Sequence, residues 1–509
     1  LRNTAGRQLP AEALSIDRVE YVKITMPTDS SGMIGEWPDP LPPQPAGGSN
    51  LPAGRNAAFW VRAKIPAGTP AGFYHSRLHI TGASLEPIVI PLQLEVYDFA
   101  LPDRASCRTA FGLGIDRLLR YYRPVTDDER RGIARQYLQL LADNRISSYG
   151  GGFNRLDYRL ELSDDPQQCP RVQFDWTEFD ANMTMLFDEF HANSAVVPVE
   201  GLGSGTFHAR HPGSIGGITA DDPRYEPVIA SYLGQLDAHL VEKGWDRYCY
   251  TYTFDEPEEK DYPFVMEQMA LLKKYAPHLR RLLTEQPEAP LYGGPNIWCL
   301  PTYYLDAERV AARRNAGDEL WWYICTQPRA PFAGEFIDHP GTALRVWLWQ
   351  TWQYRLTGIL IWETVYWTSE TAYPDSRQNP YRDPVAWMTG YGTTPGTRTS
   401  WGNGDGRLIY PPEPARNGEL CEPGNRPVSS FRLEVLRDGL EDFEYLTMLQ
   451  KLLAEKQAVL TPDEYRDYRQ LLAVPESISR SLTEYTFRAA PIASRRDAIA
   501  RAIVELRRR

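Results

Sequence analysis

Two adjacent carboxylates, Asp255 and Glu256, follow a strand-like run in the stretch RYCYTYTFDEPEEK at 247–260. Pro257 biases Glu256 away from the helical conformation, so the strand ends at this point. A carboxylate buried beside another carboxylate has a raised pKa, which a general acid working near neutrality requires. The same residues could form a solvated turn or the first turn of a helix. Spacing alone leaves these interpretations equally open.

The adjacency of the two carboxylates limits the chemistry that they can perform on a glycosidic bond. Two-sided mechanisms need carboxyl groups about 5–5.5 Å apart for retention or about 6.5–9.5 Å apart for inversion, usually on different strands. An adjacent pair fits the substrate-assisted variant better, in which the 2-acetamido oxygen of the sugar is the nucleophile. One acid then protonates the leaving oxygen, while its neighbour holds the acetamido N–H.

The elements that must position these residues change in character along the chain. Residues 18–99 alternate apolar and polar positions between Pro- and Gly-rich connectors, which predicts a small β-sandwich. From about residue 107, short apolar runs alternate with amphipathic helical stretches, which predicts an α/β fold with a (β/α)8 TIM barrel. The predicted barrel strands are 108–114, 145–151, 194–200, 247–254, 280–285, 296–300, 320–326 and 358–364.

The tail of the chain is predicted to be helical, because apolar residues recur at helical spacing within 430–457. We therefore expect a β-sandwich domain at 1–102 and a catalytic barrel at 103–428. A C-terminal helical region at 429–509 should pack on the barrel.

Active sites of such barrels gather at the C-terminal ends of the strands, and this rule selects further candidates. Aromatic residues concentrate there, because ten of the 14 Trp lie between 298 and 401. We expect Trp347, Trp349 and Trp352, on a predicted helix, to be structural. The candidate substrate-binding residues are Trp298, Tyr303, Tyr304, Trp322, Tyr323, Trp362, Glu363 and Trp367.

Two loops are further candidates. The Gly-rich loop 201–225 follows the third predicted strand, so His208 and His211 could touch a substrate, although a mobile surface loop is the favoured interpretation. In WGNGDGRLIYP, Asn403 and Asp405 could suggest a cation loop. We expect hairpin turns instead, because N-G and D-G are turn signals and the ligands are too few for calcium.

Composition excludes several classes of function. The net charge of −11 argues against nucleic-acid binding, and no apolar run is long enough to span a membrane. The eight His are scattered without an HExxH motif, and no nucleotide-binding Gly-rich motif follows a predicted strand. We therefore expect no metal and no cofactor. The six Cys show no metal-type spacing: Cys107, Cys169, Cys249, Cys299, Cys325 and Cys421.

An ordered series of motifs resembles glycoside hydrolase family 123. These motifs are YTYTFDEP, LWWYIC, GILIWETVYW, WGNGDGRLIYP and FRLEVLRDGLEDFEYL, and the resemblance extends from about residue 18 to about residue 450. It implies a retaining β-N-acetylgalactosaminidase with substrate assistance and a glycan as its partner. By this resemblance, Asp255 orients and stabilises the acetamido group, and Glu256 is the general acid and then the base.

Two rival hypotheses remain. A barrel glycosidase of another, non-acetamido sugar would need a different nucleophile, which Glu363 or Glu200 could supply. A non-catalytic glycan-binding protein would need only the aromatic residues, but it gains nothing from two costly carboxylates. The chain opens LRNTAGRQLP without Met or an apolar signal core, so we expect a processed or trimmed chain from a secreted or periplasmic protein.

Overall fold

The structure is a computed structural model that describes residues 1–83, 85–150, 152–161, 170–390 and 392–509. Cys169 and the predicted strand residue Gly151 lie outside the described residues. The other five cysteines are free thiols.

Eight parallel strands form the barrel. The strands are β1 Arg108–Leu113, β2 Ser148–Gly150, β3 Ala195–Val196, β4 Cys249–Thr251, β5 Arg280–Leu283, β6 Ile297–Pro301, β7 Glu319–Ile324 and β8 Gly358–Ile361. Six of them lie within segments predicted from sequence, while β6 and β7 each extend one residue beyond their segments. Their hydrogen-bonded order is β2-β1-β8-β7-β6-β5-β4-β3. The ring closes where β2 and β3 meet, and there the Ser147 hydroxyl donates to the Asn193 amide oxygen at 3.0 Å. The predicted (β/α)8 fold is confirmed.

Alternation along these strands separates two layers of side chains, because successive residues of a strand point to opposite faces. In β7, Trp321 and Tyr323 belong to the cluster that fills the barrel, while Trp322 packs in the outer layer against the helices. In β6, Cys299 points inward and Trp298 outward.

Helices surround the barrel and continue into the tail. The predicted tail helix is present as a long helix that packs on the barrel helix preceding β8. The helices are α1 Ile115–Leu119, α2 Asp127–Asp143, α3 Thr177–Thr184, α4 Tyr225–Glu242, α5 Tyr262–Tyr275, α6 Ala307–Asn315, α7 Ala343–Gln353, α8 Phe431–Lys456, α9 Pro462–Gln470 and α10 Ala489–Arg508.

The N-terminal region consists of short antiparallel strands, as predicted. Strand Pro40–Leu41 pairs with Ser429–Ser430 directly before α8, so this region is joined to the tail by backbone hydrogen bonds. The N-terminal strands are Arg2–Asn3, Leu14–Val19, Tyr21–Ile24, Gly35–Pro38, Pro40–Leu41, Ala58–Ala63, Gly72–Gly82 and Leu85–Val96. The domain boundaries given above stay predictions.

Smaller strands lie in the loops. Those after β2 and β3 form three hairpins, and those after β8 form one. They are Asp157–Glu161, Arg171–Asp175, Ser204–Thr206, Ala209–His211, Ser214–Ile215, Ile218–Thr219, Val385–Met388 and Thr399–Asn403.

A buried ion pair connects the N-terminal region to the barrel loops. Arg432, in the first turn of α8, donates to both carboxylate oxygens of Asp39 at 3.0 and 2.9 Å. Its guanidinium also donates to the backbone oxygens of Glu335 and Gly404, both at 2.8 Å. Asp39 accepts a further bond from the Tyr410 hydroxyl at 2.7 Å. One guanidinium thus holds the N-terminal region, α8 and two loops of the barrel mouth together.

Removing the charge of Asp39 should therefore lower the free energy of unfolding. Asp39→Asn leaves the Arg432 charge buried and uncompensated, and we expect the free energy of unfolding to fall by about 3–5 kcal/mol. Denaturant unfolding measures this loss. Asp128→Asn is the matched control, because its ion pair with Arg131 is 90% exposed on the Asp side and should change stability by less than about 1 kcal/mol. Equal losses in the two variants would contradict the role assigned to the buried pair.

Candidate active site

The Asp255-Glu256 pair lies just beyond β4, at the C-terminal mouth of the barrel. Phe254 forms a bridge with Gly205, and Asp255 forms one with Thr284 beyond β5, so the backbone stays held by its neighbours up to the pair. Glu256 then adopts φ +40°, a left-handed conformation that side chains other than glycine rarely take. Such strain is concentrated at functional sites. It re-aims the chain so that both carboxylates contact residues of the barrel interior.

Asp255 is held by hydroxyl groups on one of its two oxygens. Tyr252 donates to Oδ1 at 2.6 Å and Thr284 donates to the same atom at 2.8 Å. The Thr284 hydroxyl also accepts the backbone N–H of Glu256 at 3.0 Å, so it positions both members of the pair. In the described part of the chain, no donor is hydrogen-bonded to Oδ2. Asp255 is therefore fixed in orientation while one oxygen can still accept a hydrogen bond.

Glu256 lies in a setting that favours its protonated form. Burial raises the pKa of this carboxyl, and the neighbouring Asp255 raises it further. The Tyr323 hydroxyl donates to Oε1 of Glu256 and opposes the rise, because that bond stabilises the anion. Burial dominates, so Glu256 holds its proton to a higher pH than an exposed glutamate does. The pair thus combines an oriented acceptor with a proton donor.

A third carboxyl, Glu285, lies close by after β5 and was not selected from the sequence. Burial raises the pKa of Glu285 to about 7, with smaller contributions from Glu288 and Glu256. Its position in the predicted strand RRLLTE was the available signal, since Glu285 ends that run. The mouth of the barrel therefore holds two carboxyls, Glu256 and Glu285, whose pKa values are raised by burial.

Three tyrosines lie at the mouth of the barrel. Tyr323 is on β7, and Tyr303 and Tyr304 follow β6. Tyr323 contacts Glu256 directly. Tyr303 is 39% exposed and Tyr304 56%, and their rings lie 4.5 Å apart. Burial raises the pKa of Tyr303 to about 12, and Glu256 contributes to that shift, which places Tyr303 near the acid. Tyr303 and Tyr304 can therefore be reached by a substrate.

Three of the predicted substrate-binding tryptophans are corrected by the structure. Trp298, Trp322 and Trp367 have no exposed surface and pack in the layer between the barrel and the helices. The reason for the first two is strand alternation, because their neighbours Cys299 and Tyr323 take the inward positions. The three indole N–H groups donate to Asp318 at 2.7 Å, the Thr351 hydroxyl at 3.0 Å and the Ile409 carbonyl at 2.7 Å.

Trp362 remains at the mouth, after β8. Its indole N–H donates to Asp405 at 3.2 Å, and its ring packs edge-on against Trp401 with centroids 5.7 Å apart. The hairpin interpretation of the loop around Asp405 agrees with positive φ at Gly404 and Gly406. The turn signals in the sequence did not indicate that the Asp405 side chain is completely buried.

Glu363, which follows Trp362, is a structural carboxylate. Its Oε1 accepts the backbone N–H groups of Gly114, Thr364 and Val365 at 3.2, 2.9 and 3.3 Å. Its Oε2 pairs with Arg117 at 3.1 Å. Both oxygens are thus occupied by the protein, so Glu363 ties β8 to the loop after β1 and does not face a substrate.

The residues predicted around β3 lie beside the pair and do not join it. Glu200 accepts a hydrogen bond from Tyr158 at 2.5 Å and lines a cavity of about 490 Å³ whose walls do not include Asp255 or Glu256. In the loop 201–225, the Arg210 guanidinium donates to the Asp255 carbonyl at 3.3 Å, and the Gly205 carbonyl accepts the Asp255 backbone N–H at 3.1 Å. The Arg210 contact was not predictable from the sequence.

Neither a metal-binding cluster nor a membrane-spanning helix is found among the described residues. Across 1–83, 85–150, 152–161, 170–390 and 392–509, no group of three or more His, Cys, Asp or Glu could hold a metal ion. No helix in these ranges is both long and apolar enough to cross a membrane.

Comparison with known proteins places this geometry in a family. Residues 210–449 match the family model described as the glycoside hydrolase 123 catalytic domain. A family 123 glycoside hydrolase from Clostridium perfringens has a similar structure, with a TM-score of 0.64 and 16% identity, covering 99% of this chain and 87% of that one. A family 5 mannosidase from Rhizomucor miehei gives a TM-score of 0.33 and 10% identity, over 69% of this chain and 95% of that one.

No curated protein matches the chain by sequence. The match to the family model includes Asp255 and Glu256, and the similar structure supports the same fold. The motif resemblance described above is thereby confirmed. Residues 210–449 match the glycoside hydrolase 123 catalytic domain, and the chain is a glycosidase that acts on glycans.

Proposed function

We propose that this chain is a retaining exo-glycosidase that removes terminal β-linked N-acetylgalactosamine, or a related N-acetylhexosamine, by substrate-assisted catalysis. The observation that carries the proposal is the unequal pair at the end of β4. Asp255 is oriented by Tyr252 and Thr284 with Oδ2 left to accept a bond, whereas burial favours a proton on Glu256. An oriented acceptor beside a proton donor is what substrate assistance requires.

The proposed reaction needs only these two side chains. Glu256 donates its proton to the glycosidic oxygen while the acetamido oxygen of the sugar attacks the anomeric carbon and the glycosidic bond breaks. Oδ2 of Asp255 accepts the acetamido N–H and stabilises the positive charge of the oxazolinium intermediate. Glu256, now anionic, takes a proton from water, and the resulting hydroxyl opens the intermediate with overall retention. The enzyme regains its initial proton.

The similar protein from Clostridium perfringens hydrolyses glycolipid glycans. We extend glycan hydrolysis to this chain and leave the carrier of the glycan open. A secreted or periplasmic location would bring the enzyme to such substrates, and this location is part of the proposal.

Dependence on the acetamido group is the first test. The wild type should hydrolyse aryl N-acetyl-β-galactosaminides, and comparable rates on plain aryl galactosides would contradict substrate assistance.

Glu256→Gln should lower kcat/KM by about 100- to 10,000-fold for poor leaving groups, and less for 4-nitrophenolate, which needs little protonation. Asp255→Asn should lower kcat/KM by the same factor for substrates with poor leaving groups and for 4-nitrophenyl substrates. Glu258→Gln is the matched control, because Glu258 is an exposed neighbour paired with Lys260.

The pH profile gives a second test, through Tyr323. Activity requires protonated Glu256, so kcat/KM falls as pH rises through the pKa of that carboxyl. The Tyr323 hydroxyl lowers this pKa by stabilising the anion, and Tyr323→Phe removes that effect. The basic limb of the profile should therefore move to higher pH. Tyr304→Phe, which removes an exposed hydroxyl, should leave the limb in place. A limb that moves to lower pH would contradict the assignment.

The rival mechanism with Glu363 as nucleophile is tested by Glu363→Gln. Because both oxygens of Glu363 are bound by the protein, we expect a loss of about 1–3 kcal/mol in the free energy of unfolding and an unchanged basic limb. Abolished turnover in Glu363→Gln, together with mere weakening in Asp255→Asn, would favour the rival.

A further inference from the structure

The peptide group that joins Asp255 to Glu256 is held by hydrogen bonds at both of its ends. Its N–H, which belongs to Glu256, donates to the Thr284 hydroxyl at 3.0 Å, beyond β5. Its carbonyl, which belongs to Asp255, accepts two bonds of 3.3 Å from the Arg210 guanidinium, in the loop after β3. Strands β3 and β5 flank β4. The plane of this peptide is therefore fixed from both sides of the strand that carries the acid pair.

Arg210 also contacts the chain on the other side of Glu256. Its Nε lies 3.2 Å from Oδ2 of Asp261, and these two side chains are only 13% and 10% exposed. The same Asp261 oxygen accepts the backbone N–H of Glu258 at 3.2 Å. One guanidinium thus fixes the peptide that precedes Glu256 and, through Asp261, the turn that follows it.

Holding both flanks of Glu256 matters because its backbone lies in the left-handed region, at φ +40°. A residue that carries a side chain stays in this region only where its surroundings prevent it from relaxing. A change in φ has to rotate either the preceding peptide or the chain that follows, because peptide groups themselves are planar and rigid. Arg210 holds both, so its contacts oppose the relaxation of Glu256.

Arg210 is placed by the hairpin 204–211. In this hairpin Gly205 lies opposite Arg210, and its carbonyl accepts a hydrogen bond from the guanidinium. The Gly205 N–H donates to the Thr253 carbonyl at 3.2 Å, and the Asp255 N–H donates to the Gly205 carbonyl at 3.1 Å. The hairpin is therefore an extension of the barrel sheet beside the acid pair, and Arg210 reaches the pair from a rigid support.

The contacts of Arg210 act on the backbone and not on the proton of Glu256. The pKa of this carboxyl is set by burial, by the Tyr323 hydroxyl and by Asp255. Among the described residues, the guanidinium donates to two backbone carbonyls and pairs with Asp261. Its role is therefore one of geometry.

We propose that Arg210 is the positioning residue of the general acid, because it holds Glu256 in the left-handed conformation that aims its carboxyl into the barrel. This inference rests on the proposed function, in which Glu256 protonates the leaving group. A lysine cannot replace this arginine, since a single ammonium lacks the planar fork that reaches the Asp255 carbonyl and Asp261 together. Without the clamp, Glu256 can relax and leave its buried place beside Tyr323.

Arg210→Lys tests the proposal through the dependence on the leaving group. On aryl N-acetyl-β-galactosaminides with poor leaving groups, kcat should fall about 10- to 100-fold, because a small misplacement of a catalytic group has an effect of this size. On the 4-nitrophenyl substrate, which needs little protonation, kcat should fall much less. KM should stay nearly unchanged on both, since the contacts of Arg210 are with the protein.

The pH profile of Arg210→Lys supplies a readout that a loss of stability alone would not move. A relaxed Glu256 is less buried, so its anion is better solvated and the pKa of its carboxyl falls. Activity requires the protonated form, and the basic limb of kcat/KM should therefore move to lower pH. Tyr323→Phe is expected to move the same limb in the opposite direction.

A double variant shows whether Arg210 acts through Glu256. The substrate is one of intermediate leaving-group acidity, on which Glu256→Gln is still active. Adding Arg210→Lys to Glu256→Gln should lower kcat by less than about twofold, because there is no longer an acid to misplace. A merely structural arginine would lower kcat by one factor in both backgrounds and for all leaving groups. That outcome, or an unchanged kcat in Arg210→Lys alone, would overturn the proposal.

Arg224→Lys is the matched control, because Arg224 belongs to the same loop but pairs with Asp222 at 2.7 Å. It should keep the wild-type kcat and basic limb. If Arg210→Lys did not fold, Asp261→Asn would decide, since it removes the charge that anchors Arg210 and leaves the arginine in the chain. We expect the same dependence on the leaving group with a smaller loss, and equal losses on all leaving groups would contradict the clamp.

The outcomes for the two proposals can be separated. A wild type that hydrolyses plain aryl galactosides at comparable rates would refute substrate assistance, and the same variants on that sugar would still decide the role of Arg210. A Glu256→Gln variant that keeps full activity on poor leaving groups would refute the general acid and the clamp together. Inactive Glu256→Gln, combined with an Arg210→Lys loss that is equal for all leaving groups, would refute the clamp alone.

Discussion

The buried contact between Arg432 and Asp39 is the constraint on which the mouth of the barrel depends. A charged pair without solvent gains little stability over apolar packing, so its value lies in the geometry that it imposes. Here the guanidinium has five N–H donors and uses them on the Asp39 carboxylate and on loop carbonyls, including those of Glu335 and Gly404. The N-terminal strands thereby help to shape a site to which they contribute no catalytic group.

The backbone conformation of Glu256 allows two adjacent carboxylates to face the same side of the chain. In a regular strand, neighbouring side chains point to opposite faces, so one member of an adjacent pair would face the helices. The positive φ of Glu256 and the Thr284 hydroxyl, which contacts both residues, bring the two carboxyls to one side. The backbone strain is accepted because the neighbouring strand holds Asp255 in a bridge. Acid and acceptor can then address one sugar from adjacent positions.

The barrel was predictable because buried parallel strands are short apolar runs, and each of the eight predicted segments overlaps one. The position of Asp255 and Glu256 at the mouth was predictable for the same reason, since they end such a run. The direction of each aromatic side chain was not predictable, because a shift of one residue exchanges the two faces. Trp322 and Tyr323 are neighbours in sequence, yet only Tyr323 reaches the site. The contact between Glu335 and Asp405 was not predictable, because their loops meet only in three dimensions.

The buried acids at the mouth of the barrel bear on which class of sugar can bind there. Burial raises the pKa of Glu256, Glu285, Glu335 and Asp405, and a neighbouring carboxyl adds to the rise at Glu256, Glu285 and Glu335. An anionic sugar would have to bury its carboxylate without a charge partner, because Arg117 and Arg210 are engaged with protein oxygens rather than directed at a ligand. A neutral acetamido sugar avoids this cost and supplies its own nucleophile. The burial that favours a proton on Glu256 therefore also favours the sugar class that the proposed substrate assistance requires.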